Sequence, residues 1–334
     1  MAALRWRDGL ELLDQRVLPR QERWLAVTGV AAAIPLIRNL AVRGAPAIGL
    51  TAAYALAAEA RRRPDPRHLV RAGRRLAAAR PTAVNLPHAV ASVLSALAGV
   101  PADELAGAAL AAARRLHHED ADACLAIGRH GAAALPSGRL RVLTICNAGA
   151  LATGGIGTAL GVVRTLHAAG RLERLFAPET RPVFQGARLT AWEAMQDGLP
   201  VTLLPDGAAP GLLASGTVNA VVVGADRIAA DGAVANKVGT LGLALAAHRF
   251  NVLFLAAAPV TTFDLECASG TDIPVEQRAG REVTHVGRRA MAPAGVAVYN
   301  PAFDITPPDL ITALICERGV IEPVCAARVR EVAG

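Results

Sequence analysis

Residues 221–242 read VVVGADRIAADGAVANKVGTLG, and the interpretation of the whole chain starts from this stretch. Val221, Val222 and Val223 form an apolar, β-branched run, which suits a strand buried on both faces of a parallel sheet. Asp226 follows at the end of this run, and ligands of open α/β sheets bind beyond the carboxyl ends of the strands. The stretch therefore predicts a functional carboxyl group at the sheet edge, with an N-capping aspartate as the alternative.

Lys237 is the only lysine in the chain, and all the other cationic side chains except histidine are arginine. A lysine kept in such a chain indicates a site that needs a compact ammonium group rather than a planar guanidinium. Chance retention on the surface is the other interpretation. Because Asp226, Asn236 and Lys237 fall in one strand–loop–helix unit, we favour the functional one.

Composition narrows the possible classes of protein. The chain has 334 residues, a net charge of +7, 53% hydrophobic and 3% aromatic residues. The charge by itself suggests nucleic acid, but scattered arginines and scarce aromatic side chains argue against that partner. Five cysteines without a CxxC pair argue against both a disulfide framework and a zinc site.

Localisation is expected to be cytoplasmic. The first 19 residues mix acids and arginines and lack the apolar core of a signal peptide. No uncharged helical run reaches the length that spans a membrane. The cluster at residues 117–120, HHED, resembles metal ligands, but adjacent helical side chains diverge by about 100° and cannot converge on one ion. We expect no membrane, no metal and no cofactor.

Two regions with different patterns divide the chain. Residues 1–135 are mainly helical after a short β start, and residues 136–334 alternate strand, loop and helix. That alternation predicts a Rossmann-like parallel sheet with helices on both faces, which makes the protein an α/β protein with an N-terminal helical domain. The predicted strands are residues 140–145, 175–177, 199–204, 218–223, 252–256 and 296–299.

Cys146 lies at the end of the first of these strands, in the sequence TICNAG. A cysteine between a strand end and a helix N-terminus is expected to have a lowered pKa and thiolate character, and a buried structural cysteine is the alternative. Gly155, Gly157 and Gly161 follow as GxGxxxG, an incomplete match to the dinucleotide fingerprint. An NAD-dependent dehydrogenase therefore stays as a weaker hypothesis.

Two arginines stand where the helical region is interrupted. Arg43 precedes Gly44, Ala45 and a proline in the first turn of a helix, where free N–H groups, the helix dipole and a guanidinium all favour phosphate. Arg80 precedes another helix start. Each arginine could instead be a solvated surface charge.

The end of a later strand carries Glu179, Arg181 and Gln185, of which Gln185 could bind sugar hydroxyl groups. Glu179 and Arg181 could also simply pair with each other. Asp304, in the sequence NPAFDITP, could reach the site, although we favour a structural role that holds loops together.

Together these sequences resemble one family, the methylthioribose-1-phosphate isomerases. They belong to a wider group with the regulatory subunits of translation initiation factor 2B and the ribose-1,5-bisphosphate isomerases. The matching strings are RGAPAIG, RPTAVNL, TICNAGALATGGIGTALGV, ETRPVFQGARLTAWE, VVGADRIAADGAVANKVGT and NPAFDITP, between residues 43 and 307. The resemblance implies a homodimeric enzyme of methionine salvage that converts 5-methylthioribose 1-phosphate to 5-methylthioribulose 1-phosphate.

The resemblance also implies the site residues. The family's catalytic cysteine and proton-donating aspartate fall on Cys146 and Asp226. Its substrate-binding positions fall on the following residues: Arg43, Gly44, Ala45, Arg80, Gln185, Asn236 and Lys237.

Two departures from the family pattern are expected near the pocket, at residues 154–157 (GGIG) and 206–209 (DGAA). They leave the 5-substituent open, so 5-deoxyribose 1-phosphate and ribose 1,5-bisphosphate stay as alternative substrates. A non-catalytic regulatory protein with the same fold is a further alternative.

Overall fold

The computed structural model describes residues 2–80 and 85–334, so residues 81–84 of the string RPTAVNL lie outside the described part. Up to residue 133, the described residues form a small antiparallel sheet and then helices. The strands are β1 (Leu4–Trp6), β2 (Leu10–Leu13) and β3 (Trp24–Val27). The helices are α1 (Val30–Arg38), α2 (Ala45–Arg62), α3 (Pro66–Ala77), α4 (Asn85–Ala96) and α5 (Leu105–Ala133).

From residue 140 onward, strands and helices alternate. In chain order the elements are β4 (Leu140–Leu143), α6 (Ala159–Ala168), β5 (Leu172–Pro178), α7 (Ala191–Gln196), β6 (Val201–Leu204), α8 (Ala209–Ala214), β7 (Ala220–Val223), β8 (Arg227–Ala229), β9 (Val234–Lys237), α9 (Thr240–Arg249) and β10 (Leu253–Ala257). They continue with β11 (Phe263–Asp264), α10 (Arg281–Thr284), β12 (His285–Val286), β13 (Arg289–Ala290), β14 (Phe303–Thr306), β15 (Ala313–Cys316), β16 (Gly319–Ile321) and α11 (Ala326–Ala333). A π-helical turn, Gly186–Thr190, leads into α7.

Seven strands form the main sheet, in the order β16-β15-β10-β7-β4-β5-β6. Every neighbouring pair is parallel except β15 and β16, which are antiparallel. The valine run forms β7 at the centre, where all four residues are buried. The prediction of a mixed α/β fold dominated by a parallel sheet is confirmed.

Helices cover both faces of this sheet, as the alternation of side chains along β7 shows. Val221 and Val223 pack in one apolar cluster with residues of α8, α9 and α11. Ala220 and Val222 pack in another cluster with residues of α5, α6 and α7. Since successive side chains of a strand point to opposite faces, each cluster is the core of one face.

Some element predictions were wrong. Residues 296–299 form no strand: Val296 and Tyr299 are 48% and 80% exposed, so the run has no face to bury. The neighbouring strand is β14 instead, and it pairs with β9. Asn236 and Lys237, expected between a loop and a helix, lie in the strand β9, where buried backbone groups find antiparallel partners. A 3₁₀ turn, Pro308–Leu310, follows β14.

In the described part of the chain, no helix combines the length and apolarity needed to cross a bilayer.

The core of the sheet yields a test of stability. Phe254 on β10 is 1% exposed, whereas Leu245 on α9 is 52% exposed. Phe254→Ala should lower the free energy of unfolding by roughly 3–5 kcal/mol, because it removes buried contacts and leaves a cavity. Leu245→Ala, the control, should change it by about 0.5 kcal/mol or less. Urea denaturation measures both, and equal losses would contradict the assignment of Phe254 to the core.

Candidate active site

A cavity of about 70 Å³ lies at the carboxyl ends of β4, β5, β7 and β10. Its wall also includes the start of α2 and residues of β9 and β14. All the candidate residues from the sequence line it: Arg43, Gly44, Ala45, Arg80, Cys146, Gln185, Asp226, Asn236 and Lys237. The structure therefore brings into one cavity side chains that are almost 200 positions apart in the chain.

Cys146 follows β4 in a strained backbone conformation. Its φ of 62° lies in the left-handed region, which residues other than glycine rarely adopt. Two threonines hold it there: the Cys146 N–H donates to Thr180 Oγ1 at 3.0 Å, and Thr190 Oγ1 donates to the Cys146 carbonyl. Both threonines are buried, so they fix the backbone at Cys146 from two sides.

Asp226 follows β7, and its N–H donates to the carbonyl of Ala235 in the adjacent hairpin. Burial raises the pKa of the Asp226 carboxyl group, against the opposing effect of the positive charges on Arg80, Lys237 and Arg43. A carboxyl group with a raised pKa keeps its proton to higher pH and can donate it.

Arg43 is only 7% exposed. Its Nε donates to Gln15 Oε1 at 3.0 Å, and its Nη1 donates to the carbonyl of Asn147. Burial lowers the pKa of this guanidinium, while the nearby carboxylate of Glu193 favours its charged form. Arg43 thus ties β2 and the start of α2 to the loop that carries Cys146.

The N-terminus of α2 forms one wall of the cavity. Gly44, at its N-cap, has a φ of 89°, and a Cβ there would lie 2.6 Å from backbone atoms of Ala152. Only glycine allows this approach. Ala45 and Pro46 open the helix and also line the cavity, so the free N–H end of α2 is part of the wall.

The remaining candidates are held by neighbouring elements. Lys237 Nζ donates to the carbonyl of Ala302 at 2.9 Å and lies 5.6 Å from the ring centre of Phe303. Asn236 Nδ2 donates to Thr240 Oγ1 at 3.0 Å. Arg80 Nη2 lies 3.9 Å from Glu276 Oε2, an ion pair too long to fix the guanidinium firmly.

Three buried polar atoms of cavity-lining residues have no hydrogen-bond partner in the described part of the chain. They are Arg43 Nη2, Asn147 Oδ1 and Gln185 Oε1. One is a donor and two are acceptors. Since buried polar groups are normally paired, these atoms are suited to binding the oxygens and hydroxyl groups of a ligand.

Glu193 is a residue that sequence reasoning missed. It is fully buried at the start of α7 and accepts four hydrogen bonds: from Asn147 Nδ2, the N–H groups of Ala150 and Leu151, and Arg164 Nη2. It therefore holds the loop that follows Cys146. The available signal was a charged residue in an otherwise apolar helical run, LTAWEAM.

Arg278 also lines the cavity without having been expected there. Its guanidinium is paired with Glu276 and Glu282. Gln15, another residue missed, both accepts from Arg43 and donates from Nε2 to the carbonyl of Leu151. No sequence signal distinguished either residue: the partners of Gln15 are distant in the chain, and the local ion pairs of Arg278 do not indicate that it lines a cavity.

The two segments that depart from the family pattern do not line the cavity, contrary to expectation. Asp206 instead accepts from the N–H groups of Thr180 and Arg181, and Gly154 packs against His117. Asp206 is thus bonded to backbone N–H groups, whereas Gly154 is bonded to the side chains of Asp120 and His117.

The structure also gives the contacts of Asp304, for which a structural role was favoured, and of Arg181, for which an ion pair with Glu179 was an alternative. Asp304 accepts from the N–H groups of Gly239 and Leu241 at the start of α9 and does not line the cavity, which agrees with the structural role. Arg181 donates to the carbonyl of Val283 and lies over the ring of Phe184.

Comparison with known proteins gives a consistent family. A model of the initiation factor 2 subunit family matches residues 41–323. Methylthioribose-1-phosphate isomerase of Anaeromyxobacter dehalogenans is 54% identical over 321 residues, which cover 96% of this chain and 93% of that protein.

Two solved structures are also similar. The 5-methylthioribose 1-phosphate isomerase of Pyrococcus horikoshii OT3 has a TM-score of 0.91 and 40% identity, covering 99% of this chain and 95% of that one. A chain described as translation initiation factor eIF-2B, subunit delta, from A. fulgidus has a TM-score of 0.89 and 43% identity, covering 100% and 99%.

The contacts of Glu193 predict a large effect on stability. Glu193→Gln should lower the free energy of unfolding by roughly 3–5 kcal/mol, because it breaks a buried ion pair and directs an NH₂ group at N–H donors. Asp197→Asn is the matched control, because Asp197 shares Arg164 but has no contact with the loop; it should cost about 1 kcal/mol or less. Chemical denaturation measures the free energy of unfolding of both variants. Similar small decreases in the two would refute the role of Glu193 in holding the loop.

Proposed function

The chain belongs to the initiation factor 2 subunit family, and from this membership and the cavity we propose that it is an aldose–ketose isomerase. It converts 5-methylthioribose 1-phosphate to 5-methylthioribulose 1-phosphate, a step of methionine salvage. The single observation that carries the proposal is the cavity itself. It combines a thiol, a carboxyl group of raised pKa, several cations and unpaired polar atoms at one sheet edge.

The chemistry explains why such a set of groups is needed. Phosphate on the anomeric oxygen locks the sugar as a ring, so the ring cannot open spontaneously as in a free aldose. The enzyme must protonate the ring oxygen as its bond to C1 breaks, and then move a hydrogen from C2 to C1. One acid and one group beside C1–C2 are the minimum requirement.

We assign the acid to Asp226, since burial keeps its carboxyl group protonated to higher pH than usual. Cys146 is the base or charge stabiliser beside C1 and C2. Its strained backbone, fixed by Thr180 and Thr190, fits a side chain that must be held in one position.

Phosphate binds at the N-terminus of α2. The N–H groups of Gly44 and Ala45, the unpaired Nη2 of Arg43 and the weakly paired Arg80 form a donor set that suits an anion. Lys237 adds an ammonium group to the same wall, and Asn236 and Gln185 bind the sugar hydroxyl groups.

The 5-substituent is apolar in this proposal. Leu40, Ile145, Val183 and Phe303 line the cavity and offer apolar surface to a methylthio group. The alternatives are 5-deoxyribose 1-phosphate and ribose 1,5-bisphosphate, of which the second needs an additional cationic pocket.

A non-catalytic regulatory role is the second candidate, because a similar chain is described as a subunit of an initiation factor. It makes the opposite prediction for the site, since Cys146→Ser and Asp226→Asn would leave a regulatory activity unchanged.

We further propose a division into a mainly helical N-terminal domain, residues 1–135, and a Rossmann-like catalytic domain, residues 136–334. In support, one apolar cluster is built entirely from residues between Ala3 and Ala113. Two others cover the faces of the main sheet. A homodimer in the cytoplasm, acting on a phosphorylated pentose without nucleic acid, completes the proposal.

A substrate panel tests the function directly. Purified protein is assayed with 5-methylthioribose 1-phosphate, 5-deoxyribose 1-phosphate and ribose 1,5-bisphosphate, and kcat/KM should be highest for the first. A preference for the bisphosphate would overturn the assignment of the 5-substituent, and the absence of turnover with all three substrates would overturn the proposal of an isomerase.

The same reaction in deuterated solvent distinguishes two routes. An enediolate intermediate exchanges the migrating hydrogen with solvent, whereas a direct hydride shift retains it.

The roles of the two catalytic groups predict the effect of their replacement. Asp226→Asn and Cys146→Ser should each lower kcat by roughly 10²–10⁴-fold with little change in KM, because each removes a group that acts in the transition state. Steady-state kinetics with the best substrate measures this. The exposed Asp309→Asn serves as the control and should keep full activity.

The raised pKa of Asp226 also predicts the form of the pH profile. The protonated carboxyl is the active form, so kcat/KM should fall as the pH rises through this pKa. The window lies above the usual range of a carboxyl group because burial disfavours the anion. A profile that is flat on its alkaline side would contradict Asp226 as the proton donor.

A further inference from the structure

A second cavity, of about 200 Å³, lies behind the candidate active site. It is bounded by the first turns of α2, by α4 and α5, and by the loops that follow β10 and β15. Pro46 and Pro259 line both cavities, so they form the wall between them. None of the groups assigned to the isomerase reaction faces this second space, and the proposed function leaves it unexplained.

Carboxylates dominate the wall of this cavity. Asp120 on α5 and Glu317 after β15 line it, and Glu119 stands with His88 at its exposed rim. Burial raises the pKa of Asp120 to about 6, and the negative charge of Glu317 acts in the same direction. The ionised form of Asp120 is therefore disfavoured in this cavity, first by burial and then by the nearby carboxylate.

Among residues 2–80 and 85–334, the strong partners of these two groups are backbone amides. Asp120 Oδ2 accepts from the N–H of Gly154 at 2.6 Å, with a Cys124 thiol contact at 4.0 Å, and both oxygens of Glu317 accept from the N–H of Val260. In the described part of the chain neither carboxylate has an ion pair, whereas Glu119 pairs with Arg115 at 3.7 Å. A buried carboxylate without a cation is costly, which leaves this wall short of positive charge.

Asn85 is an independent sign of a ligand. It lines the cavity, is only 5% exposed, and donates through Nδ2 to Thr261 Oγ1 at 2.9 Å. Its Oδ1, however, is buried without a hydrogen-bond partner among residues 2–80 and 85–334. The wall thus combines two uncompensated carboxylates with an unused amide acceptor, and the complementary ligand is a cation rich in N–H donors.

We propose that this second cavity binds a small organic cation through a primary ammonium group. An ammonium offers three donors, and Asp120, Glu317 and Asn85 each bring an acceptor oxygen to the residues that line this cavity. A metal ion fits less well, since no group of three or more His, Cys, Asp or Glu in the described residues is placed to hold one. The volume of about 200 Å³ lies below that of a drug-sized site, so small amines are the probes to use. Bound there, it lies directly behind the N-terminus of α2.

The test measures binding rather than turnover, so its result does not depend on the isomerase proposal. Putrescine and ethanolamine, both cationic at neutral pH, are titrated into the full-length protein by calorimetry and by thermal unfolding at constant ionic strength. We expect saturable binding and a rise in Tm, because a ligand that binds only the folded state stabilises it. Butane-1,4-diol, which lacks the charge, should not bind.

Charge-neutral variants make the test specific. Asp120→Asn and Glu317→Gln retain an oxygen for the N–H groups of Gly154 and Val260, so the fold is kept while the charge is lost. Each should weaken binding roughly tenfold or more. Asp103→Asn, which removes an equal charge at an exposed position outside the cavity, should bind like the unaltered protein.

Three results would overturn the proposal. One is the absence of saturable binding of both amines up to about 10 mM, weaker than any specific site of this kind. Another is equal affinity in the unaltered protein, Asp120→Asn and Glu317→Gln, which would place the amine elsewhere. The third is displacement of the amines by Mg²⁺ at equal concentration, which would make the cavity a site for divalent cations.

Discussion

The burial of one guanidinium, that of Arg43, is the constraint on which the site depends. A charge taken out of water costs several kcal/mol unless other groups replace the lost hydration. For Arg43 these groups come from three separate parts of the chain: Gln15 after β2, the carbonyl of Asn147 after β4, and the carboxylate of Glu193 on α7. The N-terminal elements cannot move away from the sheet without exposing these partners or leaving the charge alone. The same residue thus stabilises the fold and presents its remaining Nη2 to the cavity.

Glu193 has the complementary role on the other side of the loop. Its carboxylate neutralises Arg164 and accepts N–H groups of residues 150 and 151, so the turn after Cys146 is held by an anion while the start of α2 is held by a cation. The strain at Cys146 persists because Thr180 and Thr190 oppose its release. The backbone at Cys146 is therefore held firmly, although this residue follows a strand rather than lies within it. The role that we propose for its thiol, beside the sugar ring, requires such positioning.

Parallel packing explains why so many distant residues meet. In the main sheet β4, β7 and β10 run in the same direction, so their carboxyl ends share an edge, and the residues after them converge on one cavity. The same geometry creates the second cavity beyond Pro46 and Pro259, because the residues after β15 reach that edge too. One edge of the sheet thus carries two spaces of opposite character: one wall is rich in cations, the other in carboxylates.

The sequence by itself determined the class of the fold and the members of the candidate site. The apolar run at β7, the alternation after residue 140 and the polar residues after strands are local patterns, and local patterns follow from side-chain periodicity and backbone chemistry. The sequence wrongly predicted a strand at residues 296–299, where Val296 and Tyr299 are exposed in the folded chain. It did not reveal the strand that carries Asn236 and Lys237, because the pairing of β9 with β14 joins segments far apart in the chain. Only the tertiary structure revealed the roles of Gln15, Glu193 and Arg278, the raised pKa of Asp226, and the acidic cavity around Asp120. Each of these depends on which distant groups share a buried space, and burial and proximity are properties of the folded chain that no local pattern encodes.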